Sequence, residues 1–334
     1  MGLRQTNMKR RYIFIISGRA DQKSLKTLER ALEMIPADDR AHFEFRYTEY
    51  SGHAGDIAAE ISEKYGSRVT VVSCGGDGTI NEVCNALAFT NTPLICLPFG
   101  TGNDLSKTIF GHKTPDLKAS LESLDTFKPH KIDLIRIDSY DAMGNHLAMW
   151  SRYCINVASI GLDTKVQAAA KAMVLAKPNS SFVRKTAYPR CALKGIMKNR
   201  ASNFSYKLEL ESGETYQSSS SVNTLISLCN GKYYGDGFCP APEAKLDDGI
   251  IDVCSVDDVP FGRAVSLILK YRSGRHKGQP GIHMFRTTSG IITSTDPSYQ
   301  LQGNYDGEDF FGHRIRFEVC PDALMMCFPG DRDE

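Results

Sequence analysis

Gly75-Gly76-Asp77-Gly78-Thr79 combines three glycines, a carboxylate and a hydroxyl in five positions. The glycines free the backbone for φ > 0 and let a ligand approach the main chain. The acid has a different meaning. Beside a phosphate a carboxylate repels unless a cation stands between them, so Asp77 implies Mg²⁺. Thr79-Ile80-Asn81-Glu82 has the T-x-x-E form of a capping box, which predicts a helix over 79–88 with its first N–H groups turned towards an anion. A second stretch, Pro98-Phe99-Gly100-Thr101-Gly102-Asn103-Asp104, is also glycine-rich and presents Thr, Asn and Asp before a helix. Asn103 or Asp104 alone reads as an N-cap. Two such loops, each with one carboxylate, read together as a nucleotide–metal site. GxxxxGK[ST] is absent, which excludes a Walker-type loop, and no GxGxxG is present to mark a dinucleotide fingerprint.

Both loops follow apolar runs. Strands are predicted at 12–16, 43–48, 69–74 and 94–97, alternating with helices at 22–34, 56–65, 79–88 and 103–110. Repeated β-α-β units give a parallel, doubly wound sheet, whose ligands gather at the carboxyl ends of its strands. After about Pro129 the pattern becomes strand-rich, with runs at 132–137, 148–157, 205–210, 222–229, 250–255, 290–295, 299–301 and 314–319. Helices are expected there only at 164–175 and 260–271. The second part therefore reads as a mostly antiparallel sandwich or open barrel.

The chain has 334 residues, 41 % hydrophobic and 24 % charged, which suits two globular domains and excludes disorder or a coiled coil. Its longest apolar runs fall far short of the ~20 residues of a spanning helix, and five apolar residues after the basic N-terminus are too few for a signal peptide. A cytoplasmic location is expected. The ten cysteines contain no CxxC and the histidines no HExxH, so reduced thiols are expected and a zinc site is not. Met1-Gly2-Leu3-Arg4-Gln5-Thr6 fits the myristoylation pattern, a match short enough to arise by composition.

A net charge of +1 hides an asymmetry. Residues 164–207 hold ten Lys or Arg and no acid, and 259–295 hold six more, again without an acid, leaving a net −15 elsewhere. Lys171, Lys177, Arg184, Lys185, Arg190 and Lys194 alternate with Met173, Leu175, Phe182, Tyr188 and Leu193. That mixture suits an anionic membrane surface at least as well as nucleic acid, and transient docking on such a membrane, with no nucleic-acid partner, is the expectation.

Together the two loops resemble the diacylglycerol kinase catalytic domain family, the relatives of sphingosine and ceramide kinases, and more narrowly its soluble bacterial-type lipid kinases. Asn156 through Asp163, Asn230-Gly231-Lys232-Tyr233-Tyr234-Gly235, Pro242 through Asp252 and Asp306-Gly307-Glu308 extend the resemblance over about residues 10–330. The first loop alone is shared with NAD kinases. The resemblance implies a Rossmann-like α/β domain over 1–130 and an all-β, sandwich-like lipid-substrate domain over 131–320. It also implies ATP in the cleft between them and residues 321–334 returning to the first domain.

Residue by residue, it implies ATP contacts from Thr48, from Gly75, Gly76, Asp77, Gly78, Thr79, Ile80, Asn81 and Glu82, and from Gly100 and Thr101. Asp77 and Asp104 would organise the catalytic Mg²⁺ and the reacting groups, and Glu308 would be the general base. A structural Mg²⁺ would be held by the Asp248 carboxylate and the backbone carbonyls of Lys245 and Ile250. The first strand's loop reads Ile15-Ile16-Ser17-Gly18, without the family's usual Asn-Pro before Ser-Gly.

The activity implied is transfer of the γ-phosphoryl of ATP to a lipid hydroxyl, foremost diacylglycerol, giving phosphatidic acid. A sphingoid base, ceramide or polyprenol is an alternative acceptor. An NAD kinase explains the first loop but not the second, and a lipid-sensing pseudokinase has no use for three retained carboxylates. A homodimer is compatible with the family.

Overall fold

The computed structural model describes residues 10–20, 22–35, 41–97, 99, 103–110, 117–150, 152–177, 180–198, 201–235 and 237–330. Two units emerge, Met1–Ile132 with Asp322–Glu334, and Asp133–Pro321.

The first unit alternates strand and helix: β1 (Arg11–Ile16), α1 (Gln22–Glu33), β2 (Phe43–Tyr47), α2 (His53–Tyr65), β3 (Val69–Cys74), α3 (Asp77–Leu87), β4 (Leu94–Cys96), α4 (Asp104–Phe110) and α5 (Leu117–Glu122). The strands run parallel in the order β2-β1-β3-β4. Residues 322–329 add a fifth parallel strand beside β4, with Met326 opposite Leu94. Tyr12 through Ile16 and all of β3 are buried, as a sheet covered on both faces requires. In α2, Ala54, Ile57, Ala58 and Ile61 recur at helical spacing and are the residues it buries.

The second unit contains β5 (Phe127–Tyr140, which begins in the first), β6 (Arg152–Cys154), β7 (Val157–Gly161), α6 (Leu162–Ala176), α7 (Ser181–Lys198), β8 (Ser202–Leu210), β9 (Thr215–Gln217), β10 (Val222–Cys229), β11 (Ile251–Asp257), α8 (Phe261–Arg272), β12 (Ile282–Ser294), β13 (Leu301–Tyr305), β14 (Glu308–Gly312) and β15 (Arg314–Pro329, which ends in the first). Its pairing is antiparallel, in the order β14-β13-β7-β10-β11-β12-β15, with β8 joined to β10, β12 and β9. The fold is thus a parallel α/β region followed by a β-rich domain.

Three local expectations change. The run at 148–157 is not one strand: a 3₁₀ turn at Ala148–Trp150 and a break at 155–156 separate β6 from β7. The helix α7 was not foreseen, because Pro189 and Gly195 stand inside it and argue against a helix locally. The capping box at Thr79 does not form. The helix α3 begins two residues earlier at Asp77, and Glu82 caps the neighbouring α2 instead. Its Oε1 accepts a hydrogen bond from Gly52 N–H at 2.8 Å and its Oε2 one from Ala54 N–H at 3.1 Å. Sequence spacing alone cannot distinguish a cap on its own helix from one on the next.

Candidate functional site

In the first unit the strand ends create the site. Because β2, β1, β3 and β4 are parallel neighbours, Thr48, the 17–18 turn, the Gly75–Gly76 turn and the segment after Leu97 all leave the same edge of one sheet. Backbone bonds tie these exits together: Ser17 N–H to Cys74 O at 3.0 Å, Thr48 N–H to Ile16 O at 2.9 Å and Leu97 N–H to Ser73 O at 3.1 Å. Gly18 N–H donates to Thr48 Oγ1 at 3.0 Å, so the Ser-Gly turn keeps its connection to Thr48 without the Asn-Pro.

Gly75 is required by packing. A Cβ there would collide with the Thr79 side chain, which folds back over the turn. Asp77, half-exposed, opens α3, where its carboxylate shares an end with N–H groups that have no acceptor within the helix. Ile80 and Asn81 are buried, and the Ile80 N–H is given to Gly76 O at 3.1 Å. Asp104 opens α4, is 8 % exposed, and accepts from Lys107 Nζ at 3.0 Å. Asn103 precedes it at φ 49°, a left-handed conformation that turns the chain into the helix. Gly100 and Thr101 lie outside the described residues.

In the second unit Glu308 is the exposed first residue of β14, at the tip of the β13–β14 hairpin. The hairpin tip is locked by a residue whose role the sequence did not reveal. Asp306, at φ 47°, directs its carboxylate at three successive backbone N–H groups, those of Ile155 (2.7 Å), Asn156 (3.1 Å) and Val157 (3.2 Å). Burial raises its pKa, and the N–H groups oppose that rise. Gly307 N–H donates to Asn304 Oδ1 at 3.1 Å, and Asn304 Nδ2 to Asp309 Oδ1 at 2.9 Å. Glu308 therefore stands on a turn fixed on both sides. The motif residues upstream brace the same region: Asn156 Nδ2 donates to Tyr233 O, and Asn230 Nδ2 to Asp133 O and Ile155 O.

An apolar cavity of about 70 Å³, open to solvent on one side, lies between the sheet of this unit and its helices. Leu225 and Val256 form its floor. Val166, Ala192, Ala264, Leu267 and Ile268 come from α6, α7 and α8. Beside Thr224, Tyr234 and Tyr271 the lining includes the carboxylate of Asp163, whose Oδ2 accepts from Tyr234 OH at 2.9 Å and Oδ1 from Thr164 N–H at 2.9 Å. Burial pushes the Asp163 carboxyl above its ordinary range, against these bonds and one from Ser159. The cavity has no local sequence signal, since it needs α7 to form.

The donors fit the cations the resemblance implies. Asp77 and Asp104 offer hard carboxylate oxygens to Mg²⁺. In the 245–250 loop Asp248 is partly buried, Gly249 N–H donates to Asp133 Oδ2 at 2.7 Å, and neighbouring Asp252 has a buried Oδ2 with no hydrogen-bond partner. An orphaned anionic oxygen beside Asp248 suits a cation. Among the described residues no cluster of three or more His, Cys, Asp or Glu side chains could hold a metal, so any ion here must rely on backbone oxygen or water as well. All ten cysteines are unpaired, nine of them buried. No described helix is long and apolar enough to cross a membrane.

A parallel unit with carboxylates on adjacent strand-to-helix turns, followed by an antiparallel unit, is the two-domain fold of diacylglycerol and NAD kinases. A diacylglycerol kinase structure from Bacillus anthracis superposes with a TM-score of 0.63 over 97 % of both chains, at 17 % identity. Yeast NADH kinase gives 0.51 over 97 % of this chain and 85 % of the other, at 10 % identity. Residues 11–137 match the diacylglycerol kinase catalytic domain, and residues 156–328 the YegS C-terminal NAD kinase beta sandwich-like domain. The chain belongs to this YegS-like lipid kinase family. It is 29 % identical over 285 residues to a Xanthomonas axonopodis pv. citri protein described as "Probable lipid kinase YegS-like", covering 83 % of this chain and 84 % of the other. A Stenotrophomonas maltophilia protein of the same description is 28 % identical over 287 residues, covering 82 % and 84 %.

Proposed function

We propose that the protein transfers the γ-phosphoryl group of Mg-ATP to the hydroxyl of diacylglycerol, releasing ADP and phosphatidic acid. The observation that carries the lipid acceptor is the apolar cavity of the second unit, whose lining is hydrocarbon except at Asp163, Thr224 and the tyrosines. An acyl chain gains ~0.8 kcal/mol for each CH₂ it buries there. A nicotinamide dinucleotide would find almost nothing to hydrogen-bond.

In the transfer, the acceptor oxygen bonds to the γ-phosphorus as the bond to the β–γ bridging oxygen breaks, and the hydroxyl proton passes to a carboxylate. Glu308 is the acid assigned that proton, on a turn anchored through Asp306 and Asn304. The Gly75–Gly76 turn, Asp77 and the first N–H groups of α3 hold the phosphates, with Thr48 at the neighbouring strand end and Gly100 and Thr101 on the second loop. Bound Mg²⁺, carried by Asp77 with Asp104, would neutralise the charge that develops on the phosphoryl oxygens. The residues of this chain supply positioning and proton acceptance.

The membrane is reached by the helices that wall the cavity. Leu175, Phe182, Leu193, Met197 and Leu269 are at least half exposed, among the exposed cations Lys171, Lys177, Arg190, Lys194 and Arg272; the side chains of Arg184, Lys185 and Tyr188 lie outside the described residues. At ~1 kcal/mol per basic residue near an anionic surface, five such residues give reversible, salt-sensitive attachment. Co-sedimentation with vesicles should rise with phosphatidylglycerol content and fall with salt. Indifference to both would remove the docking surface.

The deciding experiment is labelled-phosphate transfer from Mg-ATP to a panel of diacylglycerol, sphingosine, ceramide, polyprenol and NAD, with Glu308→Gln in parallel. Diacylglycerol should be phosphorylated, and the variant should lose about 10²-fold or more in kcat. Transfer to another lipid replaces the acceptor, whereas phosphorylation of NAD alone overturns the reading.

A further inference from the structure

The carboxylate expected to hold the structural cation already has a cationic partner. Arg286, from β12, donates Nη2 to Asp248 Oδ2 at 3.0 Å. The same guanidinium is anchored on its other side by Glu211, with Nε to Oε2 at 2.7 Å and Nη2 to Oε1 at 3.3 Å. The second Asp248 oxygen accepts the Ile250 N–H at 3.2 Å, so both oxygens are engaged. The side chain of Asp248 is 18 % exposed and that of Arg286 42 %, which leaves the arginine room to move away from the loop.

A divalent ion bound to Asp248 would lie within a few ångströms of the guanidinium, and like charges that close disfavour joint occupancy. A planar fork can release one carboxylate while keeping the other. Glu211 is placed to retain Arg286 when Asp248 is taken.

We propose that Arg286 and a divalent cation are alternative partners of the Asp248 carboxylate, with Glu211 holding the displaced guanidinium, so that Arg286 sets how tightly the 245–250 loop takes Mg²⁺. The proposal rests on the reading of Asp248 as a cation ligand. In Mg²⁺-free buffer the loop is fastened by arginine, and at high Mg²⁺ by the ion.

The test is thermal unfolding of the full chain, without nucleotide, titrated with MgCl₂ after EDTA treatment and dialysis. Wild type is compared with Arg286→Gln, Arg286→Lys and Asp248→Asn. Arg286→Gln should have a lower Tm without Mg²⁺ and recover it with a Mg²⁺ midpoint at least tenfold below that of wild type. Arg286→Lys keeps the charge but cannot span both carboxylates, and should fall between them; it also serves if the glutamine variant folds poorly. Asp248→Asn should lose the Mg²⁺ response, separating this ion from any bound at Asp77. Equal midpoints for wild type and the Arg286 variants would overturn the competition while leaving Asp248 as a ligand. A response unchanged by Asp248→Asn, or no response in any form, would overturn the cation reading and the proposal with it.

Discussion

The strands β10 and β11 of the second unit present two faces that are packed in opposite ways. Ile226 and Leu228, with Ile251 and Val253, point to one face and join Phe204, Phe310 and Phe317 in a core where each of these side chains is 1 % exposed or less. Alternate residues, Leu225, Cys254 and Val256, point to the other face and meet α6, α7 and α8. On the first face aromatic rings lie directly on glycines: a Cβ at Gly303 would strike the Phe310 ring, and one at Gly290 would strike Phe317. On the second, the helices offer Ala170, Ala187, Ala192 and Ala264, and small residues leave the cavity. Period-two alternation lets one pair of strands serve both purposes. One face specifies the fold, and the other gives up packing density for a place to put a ligand.

The contrast is sharpest under truncation. Phe317→Ala should cost about 4 kcal/mol, because rigid neighbours cannot collapse into the space. Leu267→Ala, in a wall that already borders empty volume, should cost about 2 kcal/mol, at the low end for such a change. Urea denaturation measures both, and equal losses would mean that the two faces are packed alike.

A smaller effect comes from the acid in the cavity wall. The folded pKa of Asp163 is raised by burial, so between its unfolded value near 3.8 and its higher folded value the native state holds more protons than the unfolded chain. Stability contributed by this group is therefore greatest at low pH and declines as pH rises through that window. Asp163→Asn removes the decline. The stability difference between wild type and variant, followed from pH 4 upward, should change in the variant's favour; a flat difference would place Asp163 in a polar setting and not in an apolar wall.

What the sequence made legible follows the range of the interactions. Strand β3 and its glycine turn are local, and Val69–Cys74 reads directly as a buried strand. Asp77 and Asp104 can be singled out because each sits in a glycine-rich loop, whereas Glu308, in an ordinary-looking acidic turn, stands out only through the family resemblance. Three other features depend on distant partners. Asp306 meets backbone about 150 positions away, and Glu82 reaches across to Gly52 and Ala54 on the neighbouring helix. The helix α7, with Pro189 inside it, is sustained by burying Val183, Ala187 and Cys191 against neighbours that a local window does not contain. The cavity is invisible for the same reason, as its lining comes from three helices, three strands and the loops between them.

The smallest change in stability with the largest expected change in function is Ala264→Leu, which adds three carbons to the cavity wall. It should alter stability by less than about 1.5 kcal/mol, since the added carbons enter space that is already open. The measurement that bears most directly on the cavity as the acyl-chain site is kcat/KM for phosphoryl transfer from Mg-ATP to dioctanoylglycerol in this variant, with the KM for ATP measured alongside. A fall of tenfold or more in kcat/KM for the lipid, with the KM for ATP unchanged, is the predicted result. A filled cavity that leaves lipid phosphorylation at the wild-type rate would contradict it.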